Sequence, residues 1–421
     1  MEASFGVFGA PVMLAAASLL LSTSVGFAAG LELHGFVQGD YSARVTGLRP
    51  PGGSDFILAE ERVQLSANGA AQSGRAAFSA KTDLIHDSIT DESDLEVREA
   101  YLDLSGGPIE ARIGRQIVTW GTGDLLFIND VFPKDWVALF AGRPLEYLKV
   151  GSDALKVSAY WSGVQLETVV TPFFEPDRLP SGDRFVMRNP FGDGTVTTLR
   201  EPAARVDDPE LAFRAAKTWI GWEWALYAAR GFYRTPAPAP FNDPATIELR
   251  FPRRHLYGAS VQGAHLGGVV HAEAGYYDSR DDAEGDDPFV PNSQALFLAG
   301  YKRAIGRSVM TGLQLYGERM VDYDRYRSNL PPGMPEQDRL RTLVTGRFTW
   351  LSNYQTWRVS LFGYWSPSDV DYYLIPEVWR SLADGVWVAV GSNVFGGKDS
   401  TTFFGQLDRN DNAYAAMRYE F

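Results

Sequence analysis

Cysteine is absent from the 421-residue chain, and histidine occurs only 5 times. Without cysteine, neither a disulfide framework nor a thiolate metal site can form. The histidines show no spacing typical of a catalytic nucleophile or of a metal site. Residues 86–88 combine base, acid and hydroxyl, but sequence neighbours on a loop do not generally meet as a catalytic triad. We therefore expect neither enzyme activity nor a cofactor or metal. The histidines are His34, His86, His255, His265 and His271.

Basic charge is also scarce. The chain has 39 Lys and Arg against 52 Asp and Glu, which gives a net charge of -13. Nucleic-acid binding needs a basic surface, so no nucleic-acid partner is expected. The acidic run at 281–287 does not have the spacing of a calcium loop, and we interpret it as a solvated loop.

Long apolar runs are missing after the amino terminus, where residues 11–21 form one. This run is too short for a membrane-spanning helix of about 20 residues. Small residues at 26–30 follow it, which is typical of a secretory signal peptide, although Glu2 stands where a basic residue is usual. We predict a signal peptide over 1–29, cleaved near Ala28 or Ala29, and a single barrel domain over 30–421.

The end of the chain, residues 412–421, alternates between an apolar and a charged side. Arg418 and Glu420 lie on the charged side. Such a strand suits a wall between lipid and a wet lumen. The ending on Phe421 is similar to the terminal signal of bacterial outer-membrane barrels, so the barrel-assembly machinery is an expected partner. The apolar side carries Ala413, Ala415, Met417, Tyr419 and Phe421.

About 18 strand-like segments follow one another, separated by connections that alternate between short and long. This pattern predicts an all-β fold, namely a transmembrane antiparallel β-barrel with short periplasmic turns and long outer loops, with about 16 strands as the alternative count. A soluble β-sandwich also alternates, but the export signal and the terminal strand favour the barrel. The segments are 31–44, 57–68, 74–85, 95–104, 109–119, 153–161, 164–173, 209–218, 220–232, 256–265, 268–278, 295–303, 307–320, 339–351, 356–366, 370–379, 385–395 and 412–421.

Arginines share one face of two neighbouring segments, 339–351 and 356–366, and the opposite face is apolar. We expect these arginines to line the lumen as an electropositive wall. Glu99 and Asp103, together with acids of the long loops, are expected to form an opposing wall. The arginines are Arg339, Arg341, Arg347 and Arg358.

Two connections are unusually long, 120–152 and 174–208. Long ordered loops in a compact protein are usually functional. The first mixes apolar anchors with paired charges, which predicts a constriction loop folded into the barrel mouth or lumen. An external cap with no role in permeation is the alternative. The predicted constriction residues are Trp120, Asp124, Asp130, Lys134 and Asp135.

One hairpin carries a family resemblance. The stretches 100–104 (AYLDL) and 112–121 (RIGRQIVTWG) resemble porin-like families. These include the alginate-export type barrels and a poorly characterised group often found beside envelope exporters of lipids or hydrophobes. Residues 133–135 and 153–156 are also similar to that second group. The resemblance implies a porin or exporter fold, and the positions that match its motif are Arg115, Gln116 and Trp120.

Strict alternation places Arg115 on the face of Ile109 and Ile113, which are expected to contact lipid. A charged side chain at the bilayer midplane would cost roughly 2 to 4 kcal/mol. A β-bulge at Gly114 would turn Arg115 inward, and glycine inside a strand is a common bulge marker. The residues of this hairpin that we predict to line the lumen are Arg112, Arg115 and Gln116.

These patterns favour a porin or channel that passes small polar or charged solutes across a Gram-negative outer membrane, surrounded by lipid and lipopolysaccharide. Two alternatives remain open. One is an export conduit for polysaccharide, lipid or hydrophobic compounds that works with a periplasmic or inner-membrane partner. The other is a plugged barrel that acts as a structural or interaction protein. The sequence leaves the oligomeric state open.

Overall fold

The computed structural model describes residues 29–187, 196–203, 208–239 and 246–421. Of the predicted signal peptide, only Ala29 falls within these ranges. The predicted long connection 174–208 is described in part.

Eighteen strands form one closed antiparallel sheet. Each strand pairs with the next barrel strand along the chain, and the first strand pairs with the last. The predicted transmembrane-type barrel architecture is confirmed, and the β-sandwich alternative is wrong. The barrel strands are β1 (Ala29–Arg44), β2 (Phe56–Ala70), β3 (Ala76–Asp87), β4 (Glu92–Gly106), β5 (Ile109–Gln116), β6 (Ser152–Trp161), β7 (Val164–Thr171), β9 (Glu210–Trp219), β10 (Trp222–Phe232), β13 (Arg253–His265), β14 (Gly268–Ser279), β15 (Gln294–Ile305), β16 (Val309–Met320), β17 (Leu340–Leu351), β18 (Trp357–Ser366), β19 (Asp371–Ala383), β20 (Val386–Gly397) and β21 (Asn412–Glu420).

The connections carry a small second sheet and short helices. In the sheet, β8 (Val196–Arg200) pairs in parallel with β12 (Thr246–Arg250), and β12 pairs with β11 (Ala237–Pro238). Within the described ranges, no helix is both long and apolar enough to cross a bilayer. The helices are α1 (Trp136–Ala141) and α2 (Tyr323–Asn329), and 3₁₀ turns cover Leu145–Leu148, Asn353–Gln355 and Gly405–Asn410.

Alternation of apolar and polar residues explains why these segments form the barrel wall. In β1, the side chains of Leu33 and Val37 are 67% and 47% exposed, whereas Gln38 and Asp40 are each only 1% exposed. In β1 these two apolar residues therefore point out of the barrel, and these two polar residues point into it. An outward apolar surface of this kind suits contact with lipid.

The two ends of the barrel differ in the length of their connections. At one end, termed the turn end, the connections are short, and Ala29 and Phe421 lie there as well. The turns 162–163 and 220–221 have positive φ at both residues, as in tight type I′ hairpins. The opposite end, termed the loop end, carries long connections such as 117–151.

The main hydrophobic core lies inside the barrel. It joins inward side chains of the strands, such as Tyr277 and Tyr373, to buried residues of the connection between β5 and β6, such as Ile128 and Phe140. At the level of this core, the barrel interior is filled by a connecting segment together with the side chains of the strands. That segment contains the candidate site.

Candidate functional site in the barrel lumen

Residues 117–151, termed the inward segment, leave β5, pass through the barrel interior and return to β6. Tyr277 of β14 donates a hydrogen bond to the carbonyl of Ile128 at 2.7 Å. Asn412 of β21 donates to the carbonyl of Phe140 at 3.0 Å. Because β14 and β21 lie far apart around the barrel, the inward segment crosses the lumen.

Glu273 of β14 is a buried polar anchor for the inward segment. Its carboxylate accepts hydrogen bonds from the backbone N–H of Thr122 and of Gly123, the latter at 2.7 Å. Asn129 Nδ2 donates to the same carboxylate at 2.9 Å. Gly121 has a φ of 86°, and a Cβ at this position would lie 2.9 Å from Glu273 Oε1. Glycine is therefore required where the segment wraps around this carboxylate.

Asp124 is fixed to the wall by its side chain and by its backbone. Its carboxylate accepts a hydrogen bond from Arg347 Nη2 at 2.8 Å. Its N–H donates to Gln314 Oε1 at 2.7 Å, and Gln314 Nε2 donates to its carbonyl at 2.9 Å. The guanidinium of Arg347 also lies 4.5 Å from the ring centroid of Phe362. An ion pair thus joins the inward segment to the middle of β17.

Lys134 is a buried cation within the inward segment. Its Nζ donates to the carbonyls of Asp130 at 3.0 Å and of Phe132 at 2.8 Å. The Asp130 carboxylate lies 3.5 Å from this Nζ and also pairs with Lys149. Burial disfavours the charged ammonium and lowers the pKa of Lys134 to about 8. Two lysines therefore share one carboxylate inside the barrel.

Helix α1 is tied to a further part of the wall. Asp135 caps the helix by accepting a hydrogen bond from the N–H of Ala138 at 2.7 Å. The same carboxylate lies 3.3 Å from Arg143 Nη1. Arg143 Nε in turn donates to the buried Glu60 of β2 at 2.9 Å. Arg143 therefore links the helix cap to the wall through two carboxylates.

Among the predicted constriction residues, Trp120 has an apolar role. Its ring centroid lies 5.1 Å from that of Phe132 and 5.8 Å from that of Tyr227. The four charged residues of that prediction all form ion pairs. The charged residues are Asp124, Asp130, Lys134 and Asp135.

The other predicted lumen residues fall in separate places. Arg112 and Asp103 form a two-point ion pair, with Nε–Oδ1 at 2.7 Å and Nη2–Oδ2 at 2.9 Å. Glu99 accepts a hydrogen bond from Lys81 at 2.8 Å. Gln116 is fully buried, and its Nε2 donates to a backbone carbonyl of β6 at 2.9 Å. The carboxylates Glu99 and Asp103 are therefore neutralised and do not form a wall of one sign.

The predicted β-bulge at Gly114 is wrong. The pairing of β5 with both neighbours continues without a shift through Gly114, although its φ is 123°. A register shift lies instead where Lys81 and Thr82 of β3 face β4. Arg115 Nη2 lies 3.3 Å from the carboxylate of Glu175, in the connection after β7. Arg115 Nη1 also lies 3.8 Å from the carboxylate of Asp153 in β6. Two carboxylates, and not a bulge, therefore accommodate the charge of Arg115.

The predicted electropositive wall also needs correction, because most of its arginines are neutralised. Each carboxylate partner comes from a different strand or connection, so the pairing was not visible in the local sequence. Arg339 lies just before β17 and is exposed. The ion pairs are Arg341–Asp369 at 2.7 Å, Arg358–Glu377 at 3.2 Å and the Arg347–Asp124 pair described above.

Two of the cavities among the described residues lie on different sides of the barrel interior. The loop-end cavity has a volume of about 230 Å³ and is lined mainly by apolar side chains such as Phe127 and Trp136. A cavity of about 320 Å³ near the turn end is lined by charged side chains such as Arg112 and Lys156. The interior thus offers an aromatic space and a polar space.

A closed antiparallel barrel with a connection folded into its lumen is a porin-like architecture. The chain belongs to the family described as "Protein of unknown function (DUF1302)", whose model matches residues 35–407. No curated protein matches the sequence. The barrel fold and the family match confirm the predicted porin-like resemblance. The resemblance to alginate-export barrels stays a prediction.

Comparison with solved structures finds similar chains at low sequence identity. The crystal structure of OccK11 (OpdR) from Pseudomonas aeruginosa is similar with a TM-score of 0.54 at 9% identity, over 93% of this chain and 96% of that chain. OmpF of Salmonella typhi, in a complex with daunomycin, gives a TM-score of 0.46 at 9% identity, over 93% and 97%. A triple mutant of Rhodopseudomonas blastica porin gives 0.42 at 13% identity, over 93% and 100%. The likeness to OccK11 shows the fold alone.

Proposed function

We propose that the chain forms an outer-membrane channel for small polar or charged solutes, with the inward segment as its constriction. The observation that carries this proposal is the Asp124–Arg347 ion pair, which joins a connecting segment to the barrel wall within the lumen. Charged side chains at close quarters determine which solutes pass a pore. The charged cavity near the turn end supports the same solute class.

The outer face of the barrel supports placement against lipid and lipopolysaccharide. Trp161 and Trp219 lie at strand ends near the turn end, with 74% and 62% of their surface exposed. Tryptophan favours the boundary between lipid and water. Phe421 exchanges two backbone hydrogen bonds with Gly35, each at 2.9 Å, so this residue belongs to the barrel wall.

The contacts of the inward segment support a low resting conductance. Ile128 and Ala141 are completely buried, so the segment packs closely where these residues lie. Hydrogen bonds and ion pairs hold it, and the sequence has no cysteine for a covalent lock. The segment can therefore be displaced without breaking a covalent bond.

Planar-bilayer recording tests the channel. We expect small discrete conductance steps for the wild type, and larger steps when residues 124–135 are replaced by a glycine–serine linker of equal length. The same exchange at the largely exposed stretch 328–337 is the control and should leave the conductance unchanged. Electrical silence of both the wild type and the 124–135 variant, despite verified insertion, would overturn the proposal.

A further inference from the structure

We propose that the loop-end cavity binds a small aromatic carboxylate, whose anionic group is held by Arg254. The inference rests on the proposed channel function and deepens it, because it names the class of solute that the channel would take. The inference is based on three observations, namely the aromatic rings beside Arg254, the charged groups around the cavity and the apolar lining of the cavity.

Arg254 lies between two tyrosine rings. Its guanidinium carbon is 4.5 Å from the ring centroid of Tyr277 and 5.1 Å from that of Tyr233. Cation–π contacts of this kind orient the planar guanidinium and leave N–H groups on its edge for an acceptor. The two N–H groups on one edge match the two oxygens of a carboxylate.

Arg254 also has no carboxylate partner among the residues that the structure describes. Within the described part of the chain, it forms no ion pair, whereas the other cations that line the cavity each have a carboxylate partner. Arg254 is therefore the cation of this lining that is open to a carboxylate ligand. Asp177 also lines the cavity, and its carboxylate accepts hydrogen bonds from the N–H of Lys134 at 2.8 Å and from Trp136 Nε1 at 2.9 Å. The neutralised cations and their partners are Lys134 with Asp130, Arg234 with Glu210 and Arg341 with Asp369.

The rest of the lining favours a ring over a purely polar anion. The rings of Phe127 and Phe140 each lie 6.0 Å from that of Trp136, measured between centroids. Phe403 adds a further ring at 6.4 Å from Phe140. An inorganic anion would leave this surface without contacts, and a neutral hydrocarbon would leave the guanidinium unpaired. A ring that carries one carboxylate satisfies both parts of the cavity.

The size of the cavity limits the ligand further. Its volume of about 230 Å³ lies below the roughly 300 to 1,000 Å³ of pockets for drug-sized ligands. A single substituted ring therefore suits it better than a lipid or a polysaccharide. Leu125 and Lys134 of the inward segment also line the cavity, so a bound ligand would contact the proposed constriction.

Calorimetry on the folded full chain in detergent tests the ligand class. We expect benzoate to bind, and both benzyl alcohol and acetate to bind at least about tenfold more weakly, which corresponds to about 1.4 kcal/mol. Benzyl alcohol keeps the ring without the charge, and acetate keeps the charge without the ring. Equal affinity for benzoate and either control compound would overturn the inference.

Substitution of Arg254 tests the proposed contact. We expect Arg254→Met to weaken benzoate binding at least about tenfold. Arg253→Met is the matched control, because Arg253 pairs with Asp208 at 2.8 Å and does not line the cavity. Wild-type affinity in a correctly folded Arg254→Met variant would contradict the inference. If that variant does not fold, the comparison of the three compounds on the wild type decides.

The binding assay and the bilayer assay separate the two proposals. In one outcome, the protein binds benzoate selectively and yet is silent in bilayers, both before and after the exchange of 124–135. That result would support the cavity inference and overturn the proposed channel function. Conductance without benzoate binding would overturn the inference and leave the channel.

Discussion

Arg347 Nη2 and Asp124 Oδ1 lie 2.8 Å apart in the lumen, although 223 positions separate the two residues in the sequence. The two side chains are 28% and 40% exposed. An ion pair this accessible contributes only about 0 to 1 kcal/mol. Hydrogen bonds to a charged group contribute about 1.5 to 3 kcal/mol each, so the bonds to buried Glu273 hold the inward segment more strongly. The main effect of the Arg347–Asp124 pair is therefore on the charge in this part of the lumen, and not on stability.

Reversing the charge of Arg347 should change conductance. We expect Arg347→Glu to raise both the conductance and the preference for cations, because it places two carboxylates together in the lumen. A second change, Asp124→Arg, should restore the wild-type behaviour by reforming the pair. Arg339→Glu, at an exposed position just before β17, is the control. Unchanged conductance and ion preference in Arg347→Glu would contradict the role of the pair.

Neutralising Glu273 should loosen the inward segment. We expect Glu273→Gln to lower the free energy of local opening by about 2 kcal/mol, because hydrogen bonds to a carboxylate become bonds to a neutral amide. Hydrogen exchange of the amides at 121–129 measures this change. Glu110→Gln at the exposed turn end should leave the exchange rates as in the wild type. Equal protection in both variants would count against Glu273 as an anchor.

The strands of the barrel wall could be predicted from the sequence because neighbouring residues determine them. Strand residues alternate between lipid and lumen, so the alternation of Leu33 and Val37 with Gln38 and Asp40 is visible within one segment. The turn 162–163 is equally local, since two residues determine the hairpin. Each of these features depends on neighbours in the sequence.

The interior of the barrel could be predicted only in part. The mixed composition of 124–135 indicated an inward fold, but its partners Glu273 and Arg347 lie far along the chain. Glu273 was missed, although alternation in the predicted segment 268–278 offered a signal for it. Arg254 was missed because the predicted segment began only at 256, whereas β13 begins at Arg253. In the described part of the chain Arg254 has no carboxylate partner. This depends on which carboxylates the other cations bind, and only the tertiary structure determines it.

Lys134 should make stability depend on pH. Burial lowers its pKa from the usual 10.5 to about 8. Between these values the unfolded chain binds more protons than the folded chain, so this lysine makes stability rise with pH, by at most about 1.4 kcal/mol per unit. The charged groups that face it are Asp130, Lys149 and Asp177.

Urea unfolding of the wild type and of Lys134→Met between pH 7 and pH 10 measures this dependence. We expect the wild type to gain stability relative to the variant as the pH rises above about 8. Lys398→Met, at an exposed loop position, should follow the wild type. Parallel pH curves for the wild type and Lys134→Met would show that Lys134 does not titrate in this range.

Phe421 should be needed for efficient insertion. Its ring packs over Gly35, where a Cβ would lie 2.7 Å from the Phe421 Cζ. We expect deletion of Phe421 to reduce the heat-modifiable, membrane-inserted fraction, and Phe421→Tyr to preserve it. Electrophoresis of heated and unheated membranes measures that fraction. Normal insertion of the variant that lacks Phe421 would show that this residue is not needed for insertion.

The position of the inward segment inside the lumen can be tested with an engineered disulfide, because the chain has no cysteine. A Cβ at Gly258 of β13 would lie 2.9 Å from Asn129 Cγ. Cysteines at these two positions therefore approach the Cβ separation of about 3.5 to 4.5 Å that a disulfide needs. The pair Asn129→Cys and Gly346→Cys is the control, since a Cβ at Gly346 would meet no atom within 4 Å.

Mass spectrometry of the oxidised, membrane-inserted double variant Asn129→Cys, Gly258→Cys is the most direct test of the account. We expect an intramolecular disulfide in this variant and free thiols in the control pair. We also expect reduction of the disulfide to raise the conductance, because only non-covalent contacts then hold the segment to the wall. Free, reagent-accessible thiols at both positions of the test variant would place the segment outside the lumen and contradict the account.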